Sequence, residues 1–234
     1  MSEMRERYRR IVAVALVLGV VTVTIVLSND SWNPAVVSQL PPNRSSGSAL
    51  ELLATIPVKG RASKTGYART QYGDGWGMTN GCDTRNIILN RDMQHVAVDP
   101  DCKVLSGTLN DPYTGKTIQF RRGADSSSDV QIDHVVALSD SWQKGAQLLT
   151  RERRQQLAND PLELLAVDGP ANQAKGDGDA ATWLPPNKLF RCQYVARQIA
   201  VKAKYNLWMT QAEHNAIEQV LGRCPGQLLP AARD

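Results

Sequence analysis

In the stretch VQIDHVVAL, residues 130–138, two ionisable side chains, Asp133 and His134, interrupt a run of apolar residues. Burying such groups is costly unless something pairs with them. The pair is therefore either a satisfied hydrogen bond in a core or a reactive site. A neutral imidazole accepts a proton from water near neutral pH, and a carboxylate holds a cation or orients the ring. His95, in MQHVAVD, stands in a similar alternation with no acid before it and reads as structural. The stretch ELLAVDGPANQAKGD begins with Glu163, 29 residues after His134, and carries Asn172 nine positions later and Lys175 twelve positions later, behind a Gly-Pro turn. Arg85, in CDTRNI, sits beside Asp83 and Cys82; an ion pair fixing this loop and a contact to phosphate are both open readings. Trp142 and the segment WLPPNK, 183–188, either stack bases or fill the core.

The elements that must position these residues are legible in outline. Apolar residues at 50, 52, 53 and 56 have helical spacing. Residues 79–99 read as a loop, a helix carrying Ile87, Ile88 and Leu89, and a short strand. Alternation on both sides of NDPYTG predicts a hairpin, since Asp, Pro and Gly are turn formers. ALSDSWQKGAQLL, 137–149, reads as one helix, and TRERRQQLAND as another with Thr150 as N-cap. PLELLAV is a brief apolar segment, and two helices close the chain. The second of these is capped by Thr210, with Glu213 three residues on in the pattern of a capping box.

The 234 residues carry a formal charge of +4, and Arg5, Arg7, Arg9 and Arg10 against Glu3 and Glu6 supply half of it. The remainder is too small to argue a nucleic-acid partner from. Residues 11–27 hold no charge and as a helix would span about 25 Å, so residues 1–27 read as a signal peptide or an N-terminal membrane anchor. No small-x-small cleavage pattern follows closely, which favours the anchor. Under either reading the rest of the chain is exported. Residues 28–48 read as a linker, 49–228 as the folded domain and 229–234 as a tail. Four cysteines, 82, 102, 192 and 224, form no C-x-x-C pair, and their even count after an export signal favours disulfides. Cys82–Cys102 with Cys192–Cys224 closes the shortest loops and is one of three connectivities. There is no H-E-x-x-H, which argues against a zinc peptidase.

Asp133-His134, Glu163-Leu164, Asn172 and Lys175 match in kind and spacing the HNH endonucleases, also called His-Me finger or ββα-metal nucleases. Over residues 60–224 the chain resembles their secreted bacterial branch, through CDTRNIILNRD, DPYTG, DHVVALSDSWQKGA, AND and WLPP. The resemblance implies an α+β fold, with a ββα-metal core embellished by further helices and two disulfides. It implies a monomeric, metal-dependent endonuclease acting on nucleic acid, DNA before RNA, outside the cytoplasm. His134 is then the general base, and Asp133 and Asn172 hold one divalent cation, Mg²⁺ or Mn²⁺ before Ca²⁺ or Zn²⁺. Lys175, near the start of a helix, and Arg85 meet phosphate. Glu163 stands where the family has an Asn that steadies the loop carrying the histidine. A carboxylate accepts the same backbone N–H bonds but cannot donate as an amide does. The rival from another class is an exported domain of this shape that has lost catalysis and serves as a binding or wall-associated module.

Overall fold

The structure, a computed structural model, describes residues 47–123 and 126–231. The segment read as a signal or anchor lies outside them, and no helix among the described residues is long and apolar enough to cross a membrane.

Helix α1 (Ala49–Leu53) is followed by a single 3-10 turn at Arg69–Tyr72 and a minimal hairpin of β1 (Met78–Thr79) and β2 (Cys82–Asp83). The hairpin turns on Asn80 and Gly81, both at positive φ (51° and 83°), the combination a type I′ turn requires. Helix α2 (Thr84–Asp92) begins where the Asp83 side chain accepts from the Asn86 N–H. Strands β3 (Gln94–Val98), β4 (Val104–Asn110) and β5 (Thr117–Arg121) form an antiparallel sheet in that order. Asp111 closes the β4–β5 turn by accepting from Thr114 N at 2.7 Å. The expected structural role of His95 is not realised as core packing: it is exposed on β3 with φ +52°, where the register with β4 shifts.

Strand β6 (Val130–His134) pairs antiparallel with β7 (Leu164–Asp168), His134 opposite Leu164 and Asp133 opposite Leu165. Between them run α3 (Leu138–Gln143), a 3-10 turn at Ala146–Leu148 and α4 (Arg151–Asn159). The single helix expected over 137–149 is thus broken. Gly145 takes φ +121°, and an added Cβ there would lie 3.0 Å from the Trp208 ring. Helix α5 (Gly169–Lys175) follows β7 directly: Asp168 accepts from Ala171 N at 2.8 Å and Pro170 sits in the first turn. Gly169 leaves the strand beside Ser128, whose carbonyl oxygen would be 2.1 Å from any Cβ, so no other residue fits. Helices α6 (Arg191–Lys204) and α7 (Gln211–Leu221) complete the α+β arrangement.

Because successive strand side chains point to opposite faces, the β6–β7 hairpin contributes to two cores. Leu165 and Val167 pack with Tyr113, Ala171, Tyr194, Val195 and Ile199 on one side. Val130, Ile132, Leu164 and Ala166 pack with Ile88, Leu89, Leu109 and Phe120 on the other. Both disulfides close as the shortest-loop pairing has them, Cys82–Cys102 across 20 residues and Cys192–Cys224 across 32.

A buried charge network ties the helical side together. Lys144 Nζ, fully buried, lies 2.7 Å from each of Asp140, Asp179 and Glu213, while Lys202 meets Glu213 at 3.0 Å. Arg61 adds contacts of 2.8 and 2.7 Å to Asp140 and Asp179, so three cations face three carboxylates. The capping box expected at Thr210 is only half formed as a result: Thr210 accepts from Glu213 N, but the Glu213 carboxylate serves the two lysines. Removing one member of such a network leaves buried charge uncompensated, which costs about 3 to 5 kcal/mol. Lys144→Met is therefore expected to lose about that much stability in urea unfolding with Glu213 intact. A cost below about 1 kcal/mol would show that the network relaxes to water.

Candidate functional site

Helix α4 organises the site from its C-terminal end. It stops at Asn159 because Asp160 precedes Pro161, and a residue before proline disfavours the helical region. The last carbonyls of a helix have no partner within it. The orphan carbonyl of Ala158 takes one from outside, His134 Nε2 at 3.0 Å. A carbonyl only accepts, so Nε2 carries the proton and Nδ1 is the basic nitrogen. Nδ1 has no protein partner and is not among the fully buried unpaired atoms of the described residues. The imidazole lies parallel to the Trp76 indole, centroids 5.8 Å apart and planes within 4°. Burial holds its pKa down to about 3, against the pull of the Ala158 carbonyl and with the charges of Arg69 and Lys175 pushing the same way. The ring is neutral at neutral pH.

His134 opens onto a cavity of about 250 Å³ walled by Arg69, Thr70, residues 72–76, Leu138 and Ala158. Helix α4 holds that wall too. Arg154 donates to Gln71 O and Oε1, both at 3.0 Å, and Asn159 Oδ1 accepts from Gly77 N at 2.6 Å. A larger cavity, about 480 Å³, lies elsewhere and is lined by Arg91 and Arg197. Those guanidinium groups are spent on the carbonyls of Pro161, Leu162 and Leu164 at 2.7 to 2.8 Å, which brace the entry to β7.

Asp133 points away from this cavity, as adjacent strand positions must. Each of its oxygens is engaged: Tyr113 donates to Oδ2, and Lys175 Nζ lies 2.8 Å from Oδ1. Lys175 also donates to the His134 carbonyl at 2.6 Å. One rung further along the same face, Asn172 Nδ2 donates to Gln131 Oε1 at 2.9 Å. Strand positions two apart thus meet helix positions three apart, and α5 is pinned to β6 by a neutral and a charged rung. Lys175 is buried at the last position of α5, not near its start, because Asp168 and Pro170 begin the helix six residues earlier. In this position it is held in an ion pair with Asp133.

Two further expectations resolve into backbone contacts. Arg85 does not pair with Asp83, which is used as the cap of α2; its Nη2 donates to Ser127 O and Val130 O at 3.4 and 3.2 Å, fixing the start of β6. Glu163 is fully buried and accepts from Val136 N at 3.2 Å, holding the turn that leaves His134. That is the steadying task the resemblance assigns to an Asn. Burial pushes the Glu163 carboxyl well up, with Asp133 and Asp160 adding to the rise and Lys175 opposing it. A protonated carboxyl both accepts and donates, which removes the mismatch with an amide. Trp142 and Trp183 belong to the packed interior, not to a surface for bases. Trp76 and Tyr113, which sequence reasoning passed over, touch the two key side chains; the Gly-rich stretch YGDGW and the buried tyrosine of DPYTG were the available signals.

For a divalent cation the donor set does not fit as arranged. Both Asp133 oxygens are engaged, and no group of three His, Cys, Asp or Glu among the described residues is placed to hold a metal.

The fold and site define an α+β protein in which a neutral histidine, its tautomer fixed by a helix-terminal carbonyl, lines a cavity. The chain belongs to the family of the C-terminal domain of GmrSD restriction endonucleases, whose model matches residues 83–220. It is 37% identical over 210 residues to an uncharacterized secreted protein of Arthroderma benhamiae, covering 88% of this chain and 98% of that one. The likeness thus reaches a fungal protein and does not single out a bacterial branch. No solved structure matches the chain.

Since burial raises Glu163, the folded chain keeps a proton that the unfolded chain gives up, so stability falls as pH rises from the ordinary carboxyl value toward the raised pKa and levels off above it. Glu163→Gln is expected to keep the fold and to melt increasingly above the wild type as pH is raised from about 4.3 toward that raised pKa, while Glu163→Ala loses the bond to Val136 N and melts lower throughout. Parallel melting curves for wild type and Glu163→Gln across that range would refute the protonated carboxyl.

Proposed function

We propose that the protein is a nuclease that hydrolyses phosphodiester bonds of nucleic acid outside the cytoplasm. The observation that carries this is His134, neutral and held in one tautomer by Ala158, on the wall of a cavity large enough for part of a nucleotide. The family supports the reaction class, and its restriction endonucleases favour DNA as substrate. Two disulfides and a relative described as secreted support action in an oxidising, extracellular setting. In this reading the strand–strand–helix unit of β6, β7 and α5 is the ββα core of the HNH nucleases.

The reaction in this reading is base-assisted hydrolysis. Nδ1 of His134 takes a proton from a water in the cavity as the water oxygen bonds to phosphorus. The bond from phosphorus to the leaving sugar oxygen breaks, and that oxygen picks up a proton from solvent. Ala158 accepts the Nε2–H throughout and favours the imidazolium that forms, as a helix C-terminus does. Glu163 fixes the turn at Val136, so the ring does not swing out. Mg²⁺ or Mn²⁺ on Asp133 and Asn172 is proposed by the resemblance alone. It would require Lys175 to leave Asp133, and no step here runs through it.

The test is cleavage of labelled single- and double-stranded DNA and RNA by the oxidised chain, with and without Mg²⁺, beside His134→Ala. Loss of a general base lowers the rate by about 10²- to 10⁴-fold, and a variant that cleaves at the wild-type rate would overturn the assignment. Stability reports on the same ring. Its pKa in the fold, about 3, lies below the unfolded value of about 6.5. The fold therefore loses stability as pH falls through that window. His134→Ala should shed this acid-dependent loss, melting closer to the wild type, or above it, at pH 5 than at pH 7.

A further inference from the structure

We propose that Arg69 is the residue that anchors a substrate phosphate in the His134 cavity, a specificity role supplied by a segment lying ahead of the residues that match the family. This rests on the nuclease reading and extends it to a residue to which the resemblance assigns no role and which lies ahead of the family match, since that match begins at residue 83.

Arg69 opens the 3-10 turn 69–72 and is exposed on the wall of the cavity. Among the described residues it makes no hydrogen bond and no ion pair, unlike Arg61, Arg91, Arg154 and Arg197, whose guanidinium groups are all committed to protein atoms. Its backbone is nonetheless held from both sides. Arg154 clasps Gln71, and the Tyr72 hydroxyl is buried against Leu138 O at 2.9 Å and Ser141 Oγ at 2.6 Å. A free planar guanidinium on a fixed backbone, opening on the same cavity as an imidazole, is suited to bidentate capture of phosphate oxygens. The one carboxylate in the wall, Asp74, faces Arg151 at 3.5 Å and is strongly exposed, so it does not cancel Arg69. The charge of Arg69 also reaches the imidazole, where it works with burial to keep the ring unprotonated. Phosphate bound by Arg69 would lie beside Nδ1, and the guanidinium would face the negative charge that builds on the phosphoryl oxygens during attack.

Binding and cleavage are measured separately in the full, oxidised chain. In a His134→Ala background, affinity for a fluorescent DNA oligonucleotide is titrated at several salt concentrations for Arg69, Arg69→Ala and Arg69→Lys. Arg121→Ala, at another exposed arginine on β5, serves as a control for the loss of any positive charge. Arg69→Ala is expected to weaken binding about tenfold and to reduce the salt slope by about one. Arg69→Lys should regain part of the affinity, and Arg121→Ala should change little. In the His134 background of the active enzyme, Arg69→Ala should raise KM and lower kcat/KM with an unchanged melting temperature. Unchanged affinity and slope for Arg69→Ala, or an equal loss for Arg121→Ala, would overturn the proposal while leaving the nuclease reading intact. Wild-type protein that binds DNA through Arg69 but cleaves nothing would overturn the nuclease reading and leave the anchor standing.

Discussion

One hydrogen bond sets the terms for this molecule: the carbonyl of Ala158, stranded at the end of a helix, accepts from the Nε2–H of a buried histidine. Each partner meets a need of the other. The carbonyl lies in the last turn of α4 and has no intrahelical donor, and the ring has lost most of its water. Because a carbonyl cannot donate, the bond also decides which nitrogen of His134 is basic. The same helix grips the segment that walls the cavity through Arg154 and Asn159, so the position of the imidazole and the shape of the space before it come from one rigid element. Helix α4 is inserted between the two strands of the hairpin, which is how a stretch remote in sequence from residues 69–77 comes to hold them.

The hairpin itself is kept in place by apolar packing on both faces and, on one of them, by buried charge as well. One face is apolar packing against α2 and the three-stranded sheet. The other carries Asp133, whose carboxylate joins β6 to the β4–β5 turn through Tyr113 and to α5 through Lys175. A buried ion pair of this kind contributes less to net stability than to fixing one arrangement out of many, because desolvation offsets much of the attraction. Here the arrangement fixed is the angle of α5 on the strand, with Gln131 and Asn172 adding the second rung. The larger network around Lys144 does the same for α3, α6 and α7, and both are affordable only because every charge has counter-charges within hydrogen-bonding distance.

Much of the outline could be read from the amino-acid sequence, for local reasons. Thr150 and Thr210 cap helices because their side-chain oxygens reach N–H groups three residues on. The alternation around NDPYTG folds as a hairpin because its turn residues and its pleat agree. His134 stood out because an ionisable pair in an apolar run demands a reason, and Glu163, Asn172 and Lys175 stood out by spacing. What spacing could not supply was direction. Adjacent positions on a strand face opposite ways, so Asp133 and His134, neighbours in the chain, serve different sides of the hairpin.

The sequence by itself determined much of the element order, the caps at Thr150 and Thr210, the NDPYTG turn and the candidate base, since each depends on residues a few positions apart. Tertiary structure alone decided what those residues touch. Lys175 is an ion-pair partner because α5 lies along β6; Arg85 braces carbonyls because Val130 passes within reach. Glu213 looks like half of a capping box and is half of a charge network because Lys144 arrives from 69 residues away. Trp76 and Arg69 gained a place beside His134 only through the docking of an irregular segment on α4. Those contacts join residues separated by tens of positions, and no local pattern of residue types encodes which distant surface a side chain will meet.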